Sequence, residues 1–309
     1  MRKRNGPGNS SLGKRILAHR ELYLMLIPLA VYLFIFWLLP LYGIQIGFKD
    51  YNAAEGFWGS PWVGFKHFKR FFNSFYFGRV IVNTLGINLY GLLVGFPFTI
   101  ILALMFNEIT CKVFRSVAQI ASYAPRFLSV VVVSGMLITF MAPSTGMVNA
   151  ILSSLGFDRI DFFQDPKYFW HIYVWSDLWQ TVGFGTIMYT AAMSAIPEDL
   201  YEAARLDGAS RLRQIWHVTL PGIQHVIVIL LIMNLGHMMS LGFEKVLLLQ
   251  NNLNLERSEV ISTYVYKAGL IDGKYSYTSA ISLFNTAINL IILSISNAAC
   301  KRIRGIGLW

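Results

Sequence analysis

The 309-residue chain is 55% hydrophobic and only 14% charged. Soluble domains are about 25% charged, so this composition excludes an ordinary water-facing protein and predicts one embedded in lipid. The formal net charge of +10 does not indicate a nucleic-acid partner, because much of it lies at the two ends of the chain, beside apolar segments. Membrane proteins keep their cytoplasmic Lys and Arg residues in such positions.

A basic leader, residues 1–21, is followed by an uncharged run from Leu22 to Ile46. This run has 25 residues and no small-residue cleavage site, whereas the apolar part of a signal peptide has about 7–15 residues. We therefore predict a retained first transmembrane helix over residues 22–46, with its amino end in the cytoplasm.

Five further apolar segments follow within residues 80–300, which we interpret as the core of the protein. Pro125 interrupts the second of these segments, so we expect a break near its cytoplasmic end and a main span that starts at Phe127. The predicted fold class is an all-α integral membrane protein with six transmembrane helices. The five later spans are Val80–Phe106, Val117–Met141, Tyr168–Ala195, Ile223–Phe243 and Tyr277–Ala299.

Six spans return the tail, residues 301–309, to the side of the leader. With this topology the cytoplasmic side carries fourteen Lys and Arg residues and the outer side eleven. The bias is modest and the dense leader contributes most of it, so we predict that both termini are cytoplasmic. Aromatic residues cluster in the outer segments 57–77 and 162–170. We favour an interfacial aromatic belt there over a docking surface for a partner or a sugar.

The segment 196–222, between the fourth and fifth spans, has the pattern of two short helices. Pro197 suits the first position of a helix, and Gly208 can adopt the left-handed conformation that ends one. A second helix should run over residues 210–218 and end at Pro221. The residues alone allow two interpretations: a hairpin that another protein grips, or an amphipathic segment that lies on lipid. Its first helix carries a small apolar stripe: Leu200, Ala203, Ala204 and Leu206.

The order of residues in this segment resembles the EAA loop of ABC importer permeases. The resemblance rests on Glu202-Ala203-Ala204, then Asp207-Gly208-Ala209, then Leu220-Pro221. In that family the loop is the coupling helix, which sits in a cleft of the ATPase subunit. The resemblance therefore implies that the ATPase-coupling residues are Glu202, Ala203, Ala204, Asp207, Gly208, Leu220 and Pro221. The chain departs from the sugar-type pattern at His225, where a second proline is common.

Three further segments are similar to the LplB-type branch of the maltose-like permeases, which have the MetI-like fold: residues 122–129, residues 241–251 and the closing Leu308-Trp309. The resemblance implies the transmembrane domain of a type I importer, forming half of the pathway for a carbohydrate, with an oligosaccharide expected. It further implies a second homologous permease, two ATPase subunits that bind ATP and Mg²⁺, and an extracellular solute-binding lipoprotein. The expected location is the plasma membrane of a Gram-positive bacterium.

Polar residues within the spans are the candidates for substrate contact. Inserting an ionisable side chain at the centre of a membrane helix costs about 2.5–3.5 kcal/mol, so such groups should face the bundle interior or a water-filled pathway. Asn234, His237 and Ser240 recur at helical spacing on the fifth span, which lines the pathway in type I importers. With Asn88 and Asn285 they form our predicted substrate pathway. Hydrogen bonding between helices is the alternative role for these five residues.

The remaining charged residues near the spans are better explained by pairing with one another than by transport. This group comprises Arg126, Asp177, Glu244 and Lys245. An ion-coupled secondary transporter, our alternative function, would need more buried carboxylates than Asp177 and Glu244 provide. A membrane enzyme is disfavoured because neither H-E-x-x-H nor a Ser/His/Asp pattern stands out. The phosphate loop G-x-x-x-x-G-K-[ST] is also missing, which indicates that another subunit binds the nucleotide. We therefore expect no catalytic residue, metal or cofactor in this chain, and ATP hydrolysis in a separate subunit.

Overall fold

The computed structural model describes residues 20–309, so most of the predicted leader lies outside the described residues. All regular secondary structure in the described part is helical, and an isolated bridge pairs Lys49 with Trp62. The helices are α1 (Arg20–Phe48), α2 (Gly56–Gly59), α3 (Lys66–Phe72), α4 (Tyr76–Glu108), α5 (Lys112–Tyr123), α6 (Val130–Phe140), α7 (Met147–Ser154), α8 (Phe169–Ser194), α9 (Glu198–Leu206), α10 (Arg211–Gly222), α11 (Gln224–Gly236), α12 (Phe243–Leu249), α13 (Leu255–Ser258), α14 (Ile261–Tyr266) and α15 (Tyr275–Arg304).

Three of the predicted spans are single helices that are long and apolar enough to cross a membrane: α1, α4 and α15. Two more become candidates if each bent helix pair counts as one span. The pair α5 and α6 is bent by 95° after Phe127, and the pair α10 and α11 is bent by 63° at Ile223. The described residues thus provide three clear apolar spans and up to five.

The fourth predicted span corresponds to α8, which has 26 residues. At about 1.5 Å per residue it is about 39 Å long, enough to cross the roughly 30 Å hydrocarbon core. Its mean hydropathy is too low for it to count among the clear apolar spans, because it contains Ser176, Asp177 and Gln180. Nearly half of its residues are buried within the protein, among them Ser176 and Gln180, so neighbouring helices shield these two polar groups from lipid. A polar helix at the centre of the bundle can therefore still cross the membrane.

Helix α4 contributes to three hydrophobic clusters, which lie near its beginning, near its middle and near its end. At its beginning, Val80 packs with Phe71, Ile261, Tyr277 and Ile281. About two turns further, Ile87 packs with the first residues of α8 and with α12. Near its end, Ala103 packs with Tyr189 and Met193 of α8 and with Ile223. Helices α4 and α8 therefore run in the same direction, and α15 starts beside the start of α4.

These contacts define one end of the bundle, hereafter the inner end, where α4, α8 and α15 all finish. Helix α1 begins at the same end, because its last turns pack against the start of α15: a Cβ on Gly47 would lie 3.1 Å from the backbone nitrogen of Ala280. The rest of α1 stands clear of the protein, with no buried residue in its apolar stretch. That stretch is available to lipid or to another subunit.

The predicted break in the third span is present and sharper than expected. A 3-10 turn over Ala124–Phe127 follows α5, and α6 starts at Val130 rather than at Phe127. Ser129 caps α6, because its side-chain oxygen accepts a hydrogen bond from the Val132 backbone nitrogen at 3.2 Å. Since Pro125 cannot donate a backbone hydrogen bond, the chain turns there.

Two other helix boundaries differ from prediction. The fifth span was expected to continue to Phe243, but α11 ends at Gly236, where a Cβ would lie 2.7 Å from Leu293 of α15. Helix α10 was expected to end at Pro221, but it continues to Gly222. A π turn over Ile215–Thr219 precedes the proline, and such a widened turn accommodates a residue without a backbone donor.

Candidate functional site

A cavity of about 820 Å³, hereafter the central cavity, lies between α4, α8 and α11. The polar residues that line it come from separate parts of the chain. Helix α4 supplies Asn88 and Thr99, α8 supplies Asp177 and Thr181, the break after α5 supplies Arg126, and the end of α11 with the following turn supplies Asn234, His237 and Ser240. The cavity therefore combines hydroxyl, amide and charged groups at the centre of a mostly apolar bundle.

Four of the five predicted pathway residues converge on this cavity: Asn88, Asn234, His237 and Ser240. Asn285 does not. It lines a neighbouring cavity of about 540 Å³ between α14, α15 and the turn after α11, which Ser240 also borders. Helix α15 presents Asn285 to α14 rather than to α4 and α8, so its place in the substrate pathway stays a prediction.

The predicted helical stripe of Asn234, His237 and Ser240 is not a stripe of one helix, because α11 ends before His237. The residues meet because α15 holds the turn that follows. Asn289 accepts a hydrogen bond from the Met239 backbone nitrogen at 2.9 Å, and its amide donates to Ser240 Oγ at 3.0 Å. The position of Ser240 in the cavity is thus set by a contact between distant segments.

The two asparagines that line the cavity, Asn88 and Asn234, keep free hydrogen-bonding groups. The amide nitrogen of Asn88 donates to the Thr84 carbonyl at 2.9 Å, and that of Asn234 donates to the Leu230 carbonyl at 2.7 Å. One N–H of each amide is thereby used within its own helix, which leaves the second N–H and the side-chain oxygen for other partners. Sugar hydroxyls are suitable donors for such oxygens.

Asp177 lines the cavity and also forms an ion pair with Lys245. Its Oδ1 lies 3.6 Å from Lys245 Nζ, and the Lys245 side chain is 5% exposed while that of Asp177 is 48% exposed. Lys245 Nζ also lies 5.1 Å from the centre of the Tyr173 ring. The predicted pairing of these two residues is confirmed. Within residues 20–309, no three His, Cys, Asp or Glu side chains are grouped so that they could hold a metal ion.

The break that carries Arg126 is fixed to α8 by two close contacts. The buried Gln180 donates from its side-chain nitrogen to the Leu128 carbonyl at 2.9 Å. Three residues further along α8, Gly183 lies so close to Ser122 that a Cβ there would be 2.0 Å from its carbonyl oxygen. The break is therefore held in place by packing, and Arg126 is presented to the cavity from a defined backbone.

The second candidate site is the α9–α10 hairpin at the inner end, residues 198–222. Helix α9 ends at Leu206 with Asp207 as its C-cap, and Gly208 adopts the predicted left-handed conformation with φ of 76°. Two backbone hydrogen bonds close the turn, from Gly208 to the Arg205 carbonyl at 3.0 Å and from Ala209 to the Ala204 carbonyl at 2.9 Å. This is the Schellman arrangement, which satisfies the last carbonyls of a helix.

One hydrogen bond joins the two helices of the hairpin, and a close contact at its base joins it to the bundle. Tyr201 and Thr219 share a hydrogen bond between their hydroxyl groups at 3.0 Å, which links α9 to α10. At its base, Gly222 packs against Ile196 so closely that a Cβ would lie 2.6 Å from it. The hairpin can thus move as one body with the ends of α8 and α11.

The outward side of the hairpin is apolar and exposed. The relative exposures are 89% for Leu206, 69% for Leu212, 67% for Trp216 and 52% for Leu200. Large apolar side chains that cluster in this way are typical of a surface that binds a protein or a membrane. Among the predicted coupling residues, Glu202, Ala203, Asp207, Gly208 and Pro221 are exposed on this hairpin, whereas Ala204 and Leu220 are half-buried.

Comparison with known proteins identifies the family to which this chain belongs. Residues 95–305 match the family described as "Binding-protein-dependent transport system inner membrane component", a segment that spans α8, the hairpin and α11. The chain belongs to this family. As an inner membrane component, it is similar to two proteins of Bacillus subtilis (strain 168). One is the polygalacturonan/rhamnogalacturonan transport system permease protein YteP, 39% identical over 295 residues, which are 96% of this chain and 92% of YteP. The other is protein LplB, 40% identical over 288 residues, which are 93% of this chain and 91% of LplB.

Two solved structures resemble this inner membrane component along almost its whole length. A chain of a bacterial ABC transporter involved in the import of the acidic polysaccharide alginate superposes with a TM-score of 0.89 at 41% identity, covering 95% of this chain and 99% of the other. A chain of the bacterial alginate ABC transporter in complex with an alginate pentasaccharide-bound periplasmic protein superposes with a TM-score of 0.90 at 40% identity, covering 97% and 100%. The predicted MetI-like permease fold is confirmed.

Proposed function

We propose that this chain is the membrane-spanning permease subunit of an ATP-driven importer and forms half of the pathway for a carbohydrate, in particular an oligosaccharide. The supporting observation is the family match over residues 95–305 together with similarity to permeases and transporters of polysaccharide-derived substrates. These relatives favour an importer over the secondary transporter that the sequence left open. The subunit itself performs no covalent chemistry.

The importer would contain three kinds of partner subunit. A second, homologous permease would complete the pathway, two ATPase subunits would bind ATP and Mg²⁺, and an extracellular solute-binding lipoprotein would deliver the sugar. The similar transporter solved with a saccharide-bound periplasmic protein supports the last of these. Lipid surrounds the assembly. The bare apolar stretch of α1 provides surface for lipid or for the second permease.

We further propose six spans with both termini in the cytoplasm. The order of contacts supports this topology: α1 leaves the inner end, α4 returns to it, α5 with α6 leaves, α8 returns, α10 with α11 leaves, and α15 returns. The last turn of α15 carries Lys301, Arg302 and Arg304, and cytoplasmic ends of spans are enriched in such residues. The inner end would then face the cytoplasm of a bacterium, with a Gram-positive host expected from the resemblance to the LplB-type branch.

The α9–α10 hairpin would couple the ATPase to the pathway. When the partner's docking cleft moves, the hairpin moves with it, because Leu206, Leu212 and Trp216 offer an apolar surface for burial. The hydrogen bond between Tyr201 and Thr219 keeps the hairpin rigid. Its motion would pass to α8 and α11, whose side chains line the central cavity. Access to the cavity would thereby alternate between the two sides of the membrane.

This coupling role is tested by placing a charge on the exposed hairpin surface. We expect Leu206→Arg to lower the affinity for the ATPase about 30-fold or more, because an apolar anchor of an interface contributes about 2 kcal/mol or more. Co-purification from detergent-solubilised membranes and ATP-dependent uptake measure the effect. Leu253→Arg is the control, because Leu253 is also well exposed, at 60%, but lies near the opposite end of the bundle.

The control variant should retain the ATPase. Full ATPase binding and normal uptake in Leu206→Arg, and also in a Leu206→Arg/Leu212→Arg double variant, would show that this surface does not dock the motor. Both leucines point away from the bundle, so the variants should fold and their failure to bind can be interpreted.

A further inference from the structure

The central cavity contains one cationic side chain without a countercharge in the described part of the chain. Three of the residues that line it have ionisable side chains: Arg126, Asp177 and His237. Asp177 is engaged by Lys245 at 3.6 Å. Within residues 20–309, Arg126 has neither a carboxylate within ion-pair distance nor a hydrogen-bond acceptor, contrary to the structural pairing that the sequence favoured.

The backbone holds Arg126 in place for a ligand. Its 3-10 turn is fixed to α8 by the hydrogen bond from Gln180 and by the close approach of Gly183 to Ser122. An arginine inside a membrane bundle normally pairs with a protein group or faces a watered path. Because Arg126 faces the cavity without such a partner, its five N–H donors remain available to what passes through it.

We propose that Arg126 is a specificity-determining residue that binds a carboxylate of an acidic oligosaccharide, a chain that contains uronic acid units. This assignment rests on the proposed function, since it names the class of carbohydrate that the permease carries. A guanidinium matches a carboxylate with two parallel hydrogen bonds, which makes the contact selective for acidic over neutral sugars.

The neighbouring groups complete the recognition of such a sugar. The side-chain oxygens of Asn88 and Asn234 are free to accept hydrogen bonds from ring hydroxyls, and the hydroxyls of Thr99 and Thr181 border the same space. Lys245 neutralises Asp177, so the cavity does not present an uncompensated carboxylate that would repel an anion. The net charge that an entering saccharide meets is therefore positive, and it is located at Arg126.

The test compares two saccharides that differ only in charge. The complete importer, with its binding protein, is reconstituted in proteoliposomes and supplied with tetragalacturonate or with the neutral tetrasaccharide made by reducing its carboxyl groups. We expect Arg126→Gln to reduce kcat/KM for uptake of tetragalacturonate roughly tenfold to hundredfold, the range expected for a hydrogen bond to a charged group. Uptake of the neutral saccharide should change less than about twofold.

Two further variants sharpen the result. Arg126→Lys should restore part of the discrimination, because a lysine keeps the charge but not the paired hydrogen bonds. Arg115→Gln is the matched control: it removes an arginine of α5 that does not line the cavity, and both saccharides should be taken up as in the wild type.

An equal loss of uptake for both saccharides in Arg126→Gln would overturn the proposal, since Arg126 would then position the break or bind a lipid phosphate. Loss of the second permease on purification of this variant would overturn it as well, because Arg126 would then pair with that subunit. Wild-type uptake of the neutral saccharide alone would refute the acidic substrate while leaving carbohydrate import intact. Failure to take up either saccharide in the presence of ATP would instead contradict the proposed function itself.

Discussion

Replacing Asp177 with Asn is expected to destabilise the subunit by about 3 kcal/mol and to abolish most uptake. The substitution removes the one carboxylate within ion-pair distance of Lys245 in residues 20–309. Removing one partner of a buried pair costs about 3–5 kcal/mol, because the other charge stays buried without compensation. We expect the lower end of this range, since Asp177 is half exposed to the cavity and water there screens part of the charge. Size-exclusion chromatography after heating in detergent measures the stability.

Two comparisons separate this effect from a general loss of charge. Asp272→Asn breaks an ion pair of 2.8 Å with Lys274, but both side chains are nearly half exposed, so we expect a change below about 1 kcal/mol. The double variant Asp177→Asn/Lys245→Met removes both charges and should recover most of the lost stability. If the double variant is as unstable as Asp177→Asn alone, the cost does not come from the unpaired lysine.

The local structure of the α9–α10 hairpin follows from its sequence. Pro197 and Gly208 act within a few residues of where they stand: one precedes the first helical residue, and the other takes the left-handed conformation that ends α9. Such signals do not depend on the rest of the fold. The break after Pro125 is predictable for the same reason, although its angle of 95° is not.

The end of α11 could not be predicted because distant residues determine it. The apolar sequence from Ile223 to Phe243 would allow one continuous helix. The helix stops at Gly236, where the chain passes close to Leu293, and Asn289 then binds the following turn. Gly236 weakens a helix by only about 1 kcal/mol, which a long apolar span can tolerate, so only the packing of α15 against α11 reveals the break.

The residues of the central cavity were likewise only partly predictable from the sequence. The sequence identified Asn88, Asn234, His237 and Ser240 as pathway residues because polar groups in a span must face a partner or a cavity, and the structure brings these four together. Their contact with substrate stays a prediction. Sequence reasoning cannot decide which charged residues pair, since pairing depends on the distance between segments. It therefore assigned the same structural role to Asp177, which has a partner, and to Arg126, which has none among the described residues.

Replacing Gly183 with Ala is expected to prevent normal packing of α5 against α8 and to lower the yield of folded protein severely. The added Cβ would lie 2.0 Å from the carbonyl oxygen of Ser122 and 2.4 Å from its carbonyl carbon. These are backbone atoms in the last turn of α5, directly before the break, so they cannot rotate away as the end of a side chain can. Overpacking in a close-packed interior costs about 1–3 kcal/mol, and more when the backbone must shift.

The matched control for this substitution is Gly135→Ala in α6, where a Cβ would meet no other atom within 4 Å. Alanine there should be neutral or stabilise the helix by up to about 1 kcal/mol, because glycine is the poorer helix former. Heating in detergent followed by chromatography compares the two variants. Because Gly183 sets the position of the break, any Gly183→Ala protein that does fold should also lose selectivity between acidic and neutral saccharides. Wild-type stability and selectivity in that variant would mean that the contact with α8 does not determine the position of the break.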